Sequence, residues 1–286
     1  MNRMTGLSRQ ANLTAKDFEL MQKAGIDCVE ISPASEQYDT ILDLKKLKEY
    51  ADEYGIILRS FHHRFGDEYD ISSLDENIRR GAVEYYEKFI PECAQVGIKI
   101  HIVHASFEPI EDSERENRIE AAKRSLAELV QFAEKYDAVI AVEDLPRSCL
   151  GNCSADMLAL ASADERIRFC FDTNHLLGEN IKDFIKATAH KYVSVHFSDY
   201  DFINERHWLP GEGDINWCEL MDTLDECGYE GPILYELGFK APWSIVRPRD
   251  LTPFDIKRNH IELEGRLELT AIGTRKPKLG MWKQEM

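Results

Sequence analysis

The chain has 286 residues, 43% of them hydrophobic, and a formal net charge of −17 at pH 7. That length and apolar content suffice for one large α/β domain, whereas so acidic a balance is poorly suited to gripping a nucleic-acid backbone and favours attraction to cations. No apolar run reaches the length of a membrane span, MNRMTGLSRQ lacks the apolar core of a secretory signal, and of seven cysteines only Cys149 and Cys153 stand close together. The thiols are expected to be reduced and the protein cytoplasmic.

In chain order, short β-rich runs alternate with longer amphipathic stretches. A weak strand signal at NRMTGLS is followed by Thr14 and Asp17 at the spacing of a capping box and by Gly25 as a helix stop. IDCVEIS (26–32) is the second strand, then Thr40 with Asp43 as a cap and Gly55 as a stop; IILRSFH (56–62) is the third, then Ser73 with Glu76, and Gly97. IKIHIVH (98–104) leads to Ser113 with Glu116, after which Ile119, Ala122, Leu126, Leu129 and Ala133 recur at helical spacing. AVIAVE (138–143), RIRFCFD (166–172) and KYVSVHF (191–197) come next, then a helix at Asn216–Glu219 that Gly228 ends, then PILYEL (232–237) and a last cap at Thr252 before Pro253. No G-x-G-x-x-G follows the first strand and no linker divides the chain. The pattern predicts an α/β fold, a single-domain (β/α)8 TIM barrel over 1–270, with 271–286 as a C-terminal extension.

Strand ends are the working face of such a barrel. Four successive strands here end in a metal-ligating side chain: Glu143, Asp172, His196 and Glu236. Any one alone is as readily a helix cap or a hydrogen-bonded histidine; four in a row on one rim are not, and three carboxylates so close repel unless a cation neutralises them. Two Glu, one Asp and one His suit Mn2+, Mg2+ or Co2+, with Zn2+ also accommodated.

These strand ends, with GIDCVEI early in the chain and PGEGDINW after the seventh strand, resemble the xylose isomerase-like barrel superfamily, which holds sugar isomerases and epimerases, inosose dehydratases and apurinic endonucleases. The resemblance implies one divalent ion, Mn2+ first, on Glu143, Asp172, His196 and Glu236, with Glu143 and Glu236 also serving as the acid/base pair. It places His175 and Arg206 on substrate hydroxyls; His62, His104 and His207, on the same rim, are assigned to substrate as well. His63 and His101 are read as structural, Phe65 and Trp208 as rim aromatics that stack on a sugar or pack a loop, and Trp243 as a cover for the site or a subunit contact. The expected activity is a metal-dependent isomerase or epimerase that removes a proton beside a carbonyl of a small sugar or polyol through an enediolate, with no membrane or nucleic-acid partner; homo-oligomers are common among such barrels. Two alternatives stay open. One is an inosose or keto-acid dehydratase on the same scaffold. The other is a three-metal apurinic endonuclease, for which His62, His104, Asp172 with His175, and Glu205-Arg206-His207 match in type and order, except that Glu205 stands where the endonucleases carry an aspartate.

Overall fold

The computed structural model describes residues 3–33 and 44–277. Eight parallel strands, β1 (Thr5–Gln10), β2 (Cys28–Ser32), β3 (Ile57–His62), β4 (Ile100–His104), β5 (Val139–Glu143), β6 (Arg168–Asp172), β7 (Tyr192–Phe197) and β8 (Ile233–Tyr235), pair in chain order, and β8 returns to β1 to close a barrel. The weak N-terminal strand signal is a full member: Thr5, Gly6 and Leu7 pair with Ile233, Leu234 and Tyr235. Helices α1 (Ala15–Ala24), α2 (Leu44–Tyr54), α3 (Glu76–Gln95), α4 (Arg115–Glu134), α5 (Ser154–Ala161), α6 (Ile181–Thr188), α7 (Trp217–Glu226) and α8 (Pro253–Glu264) follow the strands in turn. The expected (β/α)8 barrel is therefore present, and β2 to β7 end at the predicted residues. β8 ends at Tyr235, so Glu236 stands just beyond its strand.

Capping chemistry explains most helix starts. Thr14 with Asp17 and Thr252 with Asp255 form reciprocal capping boxes, and the Asn216 side chain accepts the Glu219 N–H. Two expectations shift by a residue or two. Asp75 caps α3 by accepting the Asn77 N–H, while Ser73 Oγ takes the Asp75 N–H, and α4 starts after Glu114 rather than Ser113. The Thr40–Asp43 reading lies outside the described residues.

The barrel interior is filled. Gly6 lies between Cys28 and Leu234 in register, and a Cβ there would meet Leu234 Cδ2 at 2.1 Å and Cys28 Sγ at 2.8 Å. Ile100, Ile102, Ala141 and Cys170 form this inner core, and a far larger cluster packs between strands and helices. Strand alternation then sorts the histidines of β4. His104 shares the inward row with Ile102; His101 faces the helix layer, where it stacks on His63 at 5.1 Å and shares a 2.9 Å Nδ1···Nε2 hydrogen bond with it. Tyr86 and Phe89 of α3 cover the pair on the His63 side.

The segment between β7 and α7 is built around Asp199. Its carboxylate accepts N–H groups of Tyr200 (2.9 Å), Gly211 (2.8 Å) and Ile215 (3.2 Å) and the Trp217 indole N–H (2.9 Å), while its backbone bridges Trp208. Trp208 is fully buried and donates to Ser244 Oγ at 2.9 Å, so it packs the loop. Beyond α8 the chain returns: β10 (Thr274–Arg275) pairs antiparallel with β9 (Ile245–Val246), the Gly273 N–H reaches Glu212 Oε1 at 2.6 Å, and Arg275 forks onto Asp214.

Two predictions test this frame. A Cβ at Gly213 would fall 2.0 Å from Asp199 Oδ1 and 2.5 Å from the Tyr200 carbonyl, whereas one at Gly81 on exposed α3 meets nothing within 4 Å. Gly213→Ala should cost about 1–3 kcal/mol in chemical denaturation and Gly81→Ala should gain about 0.5–1 kcal/mol; equal effects would refute the close approach. The second concerns pH. Burial pushes His101 down to about 3, and burial with the neighbouring His101 and His62 holds His63 well below its usual value. Folded values below the unfolded value of about 6.5 mean stability that is present above that pH and lost on acidification. His101 alone should remove about 2 kcal/mol between pH 7.5 and pH 5, and a His63→Phe/His101→Leu double variant should show a shallower decline in urea midpoint; an identical pH profile would overturn the assignment.

Candidate metal centre and substrate cavity

Strand order and pleat bring the predicted quartet together. Ligand atoms of Glu143, Asp172, His196 and Glu236 all lie within 4.8 Å of one another at the C-terminal mouth of the barrel. His196 Nδ1 is the hub, 2.8 Å from Glu143 Oε1, 2.9 Å from Glu236 Oε2 and 3.9 Å from Asp172 Oδ2. One nitrogen with one proton cannot satisfy three carboxylates. Asp172 Oδ2 is buried without a hydrogen-bond partner, and burial, with the charges of Glu236 and Glu143, pushes its carboxyl well above the usual range. Against the cost of burial, His196 and His62 hold Glu143 well below that range, and His196 does the same for Glu236. Asp172 Oδ2 thus finds no partner within the cluster, and the donor set of three carboxylates and one imidazole fits a divalent cation.

Two residues outside the sequence reading complete the floor. Glu30, buried in the middle of β2, accepts Ser60 Oγ–H at 2.7 Å and lies 3.0 Å from His196 Nε2, on the side away from the carboxylates. Asp144 is buried next to Glu143; its Oδ1 accepts the Asp172 N–H at 2.7 Å, and burial, opposed by His175, pushes its carboxyl to about 8. Glu30 was visible as a charge inside CVEIS. Asp144, read as the first loop residue, gave no such signal.

The predicted histidines ring the quartet. His62 and His104 direct Nε2 to the same atom, Glu143 Oε2, at 3.0 and 2.9 Å. His62, His175 and His207 each pin Nδ1–H to a backbone carbonyl, of His63 (2.8 Å), Asp144 (2.7 Å) and Glu236 (3.1 Å). That fixes the tautomer and leaves Nε2 facing the cavity side. His175 Nε2 lies 3.1 Å from Glu205 Oε1 and 3.8 Å from Asp172 Oδ2; His207 Nε2 lies 4.0 Å from Glu205 Oε1. Although burial opposes it, Glu143 pushes His62 up to about 9, and Asp172 and Glu205 raise His175 well above its usual value.

Above the quartet lies a cavity of about 190 Å³, lined by His62, His104, Glu143, His175, His207 and Glu236 among others. Phe65 stacks on His104 at 4.6 Å and 14° and forms one lip; Phe107, Leu145 and Pro146 add apolar wall. Arg147, absent from the sequence reading, clasps the rim by donating to Glu108 (2.8 Å), Glu205 and Asn204 (3.0 Å), tying together the segments after β4, β5 and β7. Arg206 is the departure from expectation. It is buried, pairs with Asp201 at 2.9 Å, lies under Trp243 and near Trp208, and is not among the residues lining the cavity. Its neighbours Glu205 and His207 line the cavity, His207 with a left-handed backbone (φ 49°).

The chain is thus a closed (β/α)8 barrel with a candidate divalent-metal site at the C-terminal ends of its strands. Residues 18–249 match the family model for the xylose isomerase-like TIM barrel, and the chain belongs to that family. A D-psicose 3-epimerase of Enterocloster bolteae is 26% identical over 238 residues, 77% of this chain and 75% of that protein. An inosose isomerase of Halalkalibacterium halodurans is 28% identical over 158 residues, 49% of this chain and 55% of that one. The crystal structure of a D-tagatose 3-epimerase-like protein superposes with a TM-score of 0.77 at 22% identity, covering 92% of this chain and 96% of that one. Among the described residues no helix is long and apolar enough to cross a membrane.

The metal reading has a direct test. Loading chelator-stripped protein with Mn2+ at a hundredfold excess over Kd should raise Tm by roughly 5 °C, and Asp172→Asn should remove most of that rise. A Tm indifferent to chelation and to added ion would count against the four-ligand site.

Proposed function

We propose that the chain is a divalent-metal-dependent sugar epimerase or isomerase that moves a proton at the carbon beside a carbonyl. The observation that carries this reading is the quartet of Glu143, Asp172, His196 and Glu236, gathered within 4.8 Å at the base of an imidazole-lined cavity. Relatives named as a psicose 3-epimerase and an inosose isomerase support the same class of chemistry. The four residues would hold the ion, with Mn2+ the best match to the donor set and Mg2+, Co2+ and Zn2+ the alternatives. Bound there, a divalent ion supplies Lewis acidity toward the substrate's carbonyl and neighbouring hydroxyl oxygens.

The chain's own residues divide the remaining work. Glu236, whose side chain keeps a quarter of its surface exposed, opens to the cavity and takes or returns the proton on one face of the substrate carbon. Glu143, fully buried, serves the opposite face; His62 and His104 fix the direction of its carboxylate through Oε2. His175 and His207 present Nε2 to substrate hydroxyls, and Glu205 between them accepts from a hydroxyl donor. Phe65, stacked on His104, covers the apolar face of a sugar and limits water. Arg206 positions the loop by its pair with Asp201.

A second reading, phosphodiester cleavage with more than one metal, has one observation in its favour. His62 and His104 converge on a single oxygen of Glu143, and His62 has committed Nδ1–H to a carbonyl, so in the neutral ring its Nε2 lone pair faces a carboxylate. A second cation would resolve that conflict; protonation of His62, to which Glu143 already pushes it, resolves it without one. The net charge of −17 weighs against a DNA substrate.

Incubation with ketoses in D2O and Mn2+ should place deuterium on carbon. Glu143→Gln and Glu236→Gln should each slow that exchange by about 10²–10⁴-fold, and full exchange in both variants would refute the assignment. Metal analysis should find one ion per chain; about three zinc ions, together with incision of an abasic duplex, would replace this reading with the hydrolytic one.

A further inference from the structure

On the other side of Glu236 and His207 a second cavity of about 500 Å³ opens, walled by Ser8, Arg9, Gln10, Asn12 and Ser32. Glu236 and His207 line both cavities, so the two meet at the carboxylate to which the proton transfer is assigned. A sugar whose carbonyl end lies over the quartet would direct its remaining carbons past Glu236 toward this space.

Among the described residues of that wall Arg9 is the one side chain with a fixed positive charge. Its Nη1 donates to the carbonyls of Ser8 (3.0 Å) and Leu237 (2.9 Å), and its guanidinium lies 3.7 Å over the Phe239 ring. Nη2 is buried and has no hydrogen-bond partner among the described residues. Arginines elsewhere around the barrel mouth are matched to acids: Arg147 to Glu108 and Glu205, Arg206 to Asp201, Arg247 to Glu212. Among the described residues Arg9 forms no such pair, in a chain with 52 acidic and 35 basic residues. Burial pulls its pKa down to about 10, with Asp17 opposing, so it stays charged at neutral pH. A buried donor without an acceptor is costly, and a charged one finds its best partner in an anion.

We propose that the second cavity is an anion subsite in which Arg9 receives the carboxylate of a sugar acid whose carbonyl end occupies the quartet cavity. This rests on the epimerase reading for the orientation of the sugar. Among the described residues the other polar walls, Ser8, Gln10, Asn12 and Ser32, are neutral, Glu236 and His207 close the side toward the quartet, and Arg9 supplies the single fixed positive charge. That matches a carboxylate; a phosphate dianion would leave uncompensated charge beside Glu236.

Three ketohexoses that differ only at C6 test this on the Mn2+-loaded protein: D-fructose, D-fructuronate and D-fructose 6-phosphate, each titrated by calorimetry. D-Fructuronate should bind at least tenfold more tightly than D-fructose, and Arg9→Gln should abolish that ratio. Gln10→Glu, which leaves Arg9 and its carbonyl contacts in place and sets a negative charge in the wall, should abolish it too. Equal affinity for the three, or a preference that survives both variants, overturns the subsite; a preference for the phosphate overturns the sugar-acid assignment. If none of the three exchanges a carbon-bound proton in D2O while the Arg9-dependent preference stands, the epimerase reading falls and the subsite remains.

Discussion

Three carboxylates around one imidazole nitrogen set the terms for the whole upper half of the barrel. Coulomb repulsion between buried like charges is strong because the interior screens poorly, and the fold spends much of its polar inventory on containing it. His62 and His104 face Glu143 from above; Glu30, held by Ser60, faces His196 from below. Backbone carbonyls of residues 63, 144 and 236 fix the imidazole orientations of His62, His175 and His207. The small inward residues beneath, Gly6, Cys28 and Ala141, leave space for these long polar side chains at the mouth. Burial and the neighbouring charges of Glu236 and Glu143 push the Asp172 carboxyl well above its usual range, a repulsion that the proposed cation would relieve.

Much of this was legible in the sequence because strand ends and helix starts are local events. The last residues of β2 to β6 were marked by a change from an apolar run to a polar side chain, β7 carries His196 one residue before its end, and the quartet follows once eight strands close in order. β1 was faint because TGLSRQ is short on β-branched and aromatic residues; its membership is enforced by closure against β8 rather than by propensity. Trp208 could not be assigned from sequence, since a rim aromatic reads alike whether it turns to substrate or to Ser244.

Arg206 and Arg147 show where local reading fails. Both are loop arginines near the mouth, and the family resemblance singles out Arg206 alone. Only the path of the Asp199-centred loop reveals that Arg206 turns inward to Asp201 while Arg147, from the preceding strand pair, clasps Glu205. Such outcomes depend on contacts between segments some 58 residues apart, for which a single sequence carries no signal. Glu30 is an intermediate case: the charge is visible, its purpose is not until His196 stands beside it.

The antiparallel pairing of β9 and β10 joins the end of the chain to its chemistry. Gly273 and Arg275 bind Glu212 and Asp214, in the same loop whose other limb bears Glu205 and His207. The last described residues therefore act as a brace on a segment that reaches the cavity. Glu212, buried and paired with Arg247, is where that brace meets the loop, so a change in the β9–β10 pairing would reach the mouth of the barrel through this one side chain.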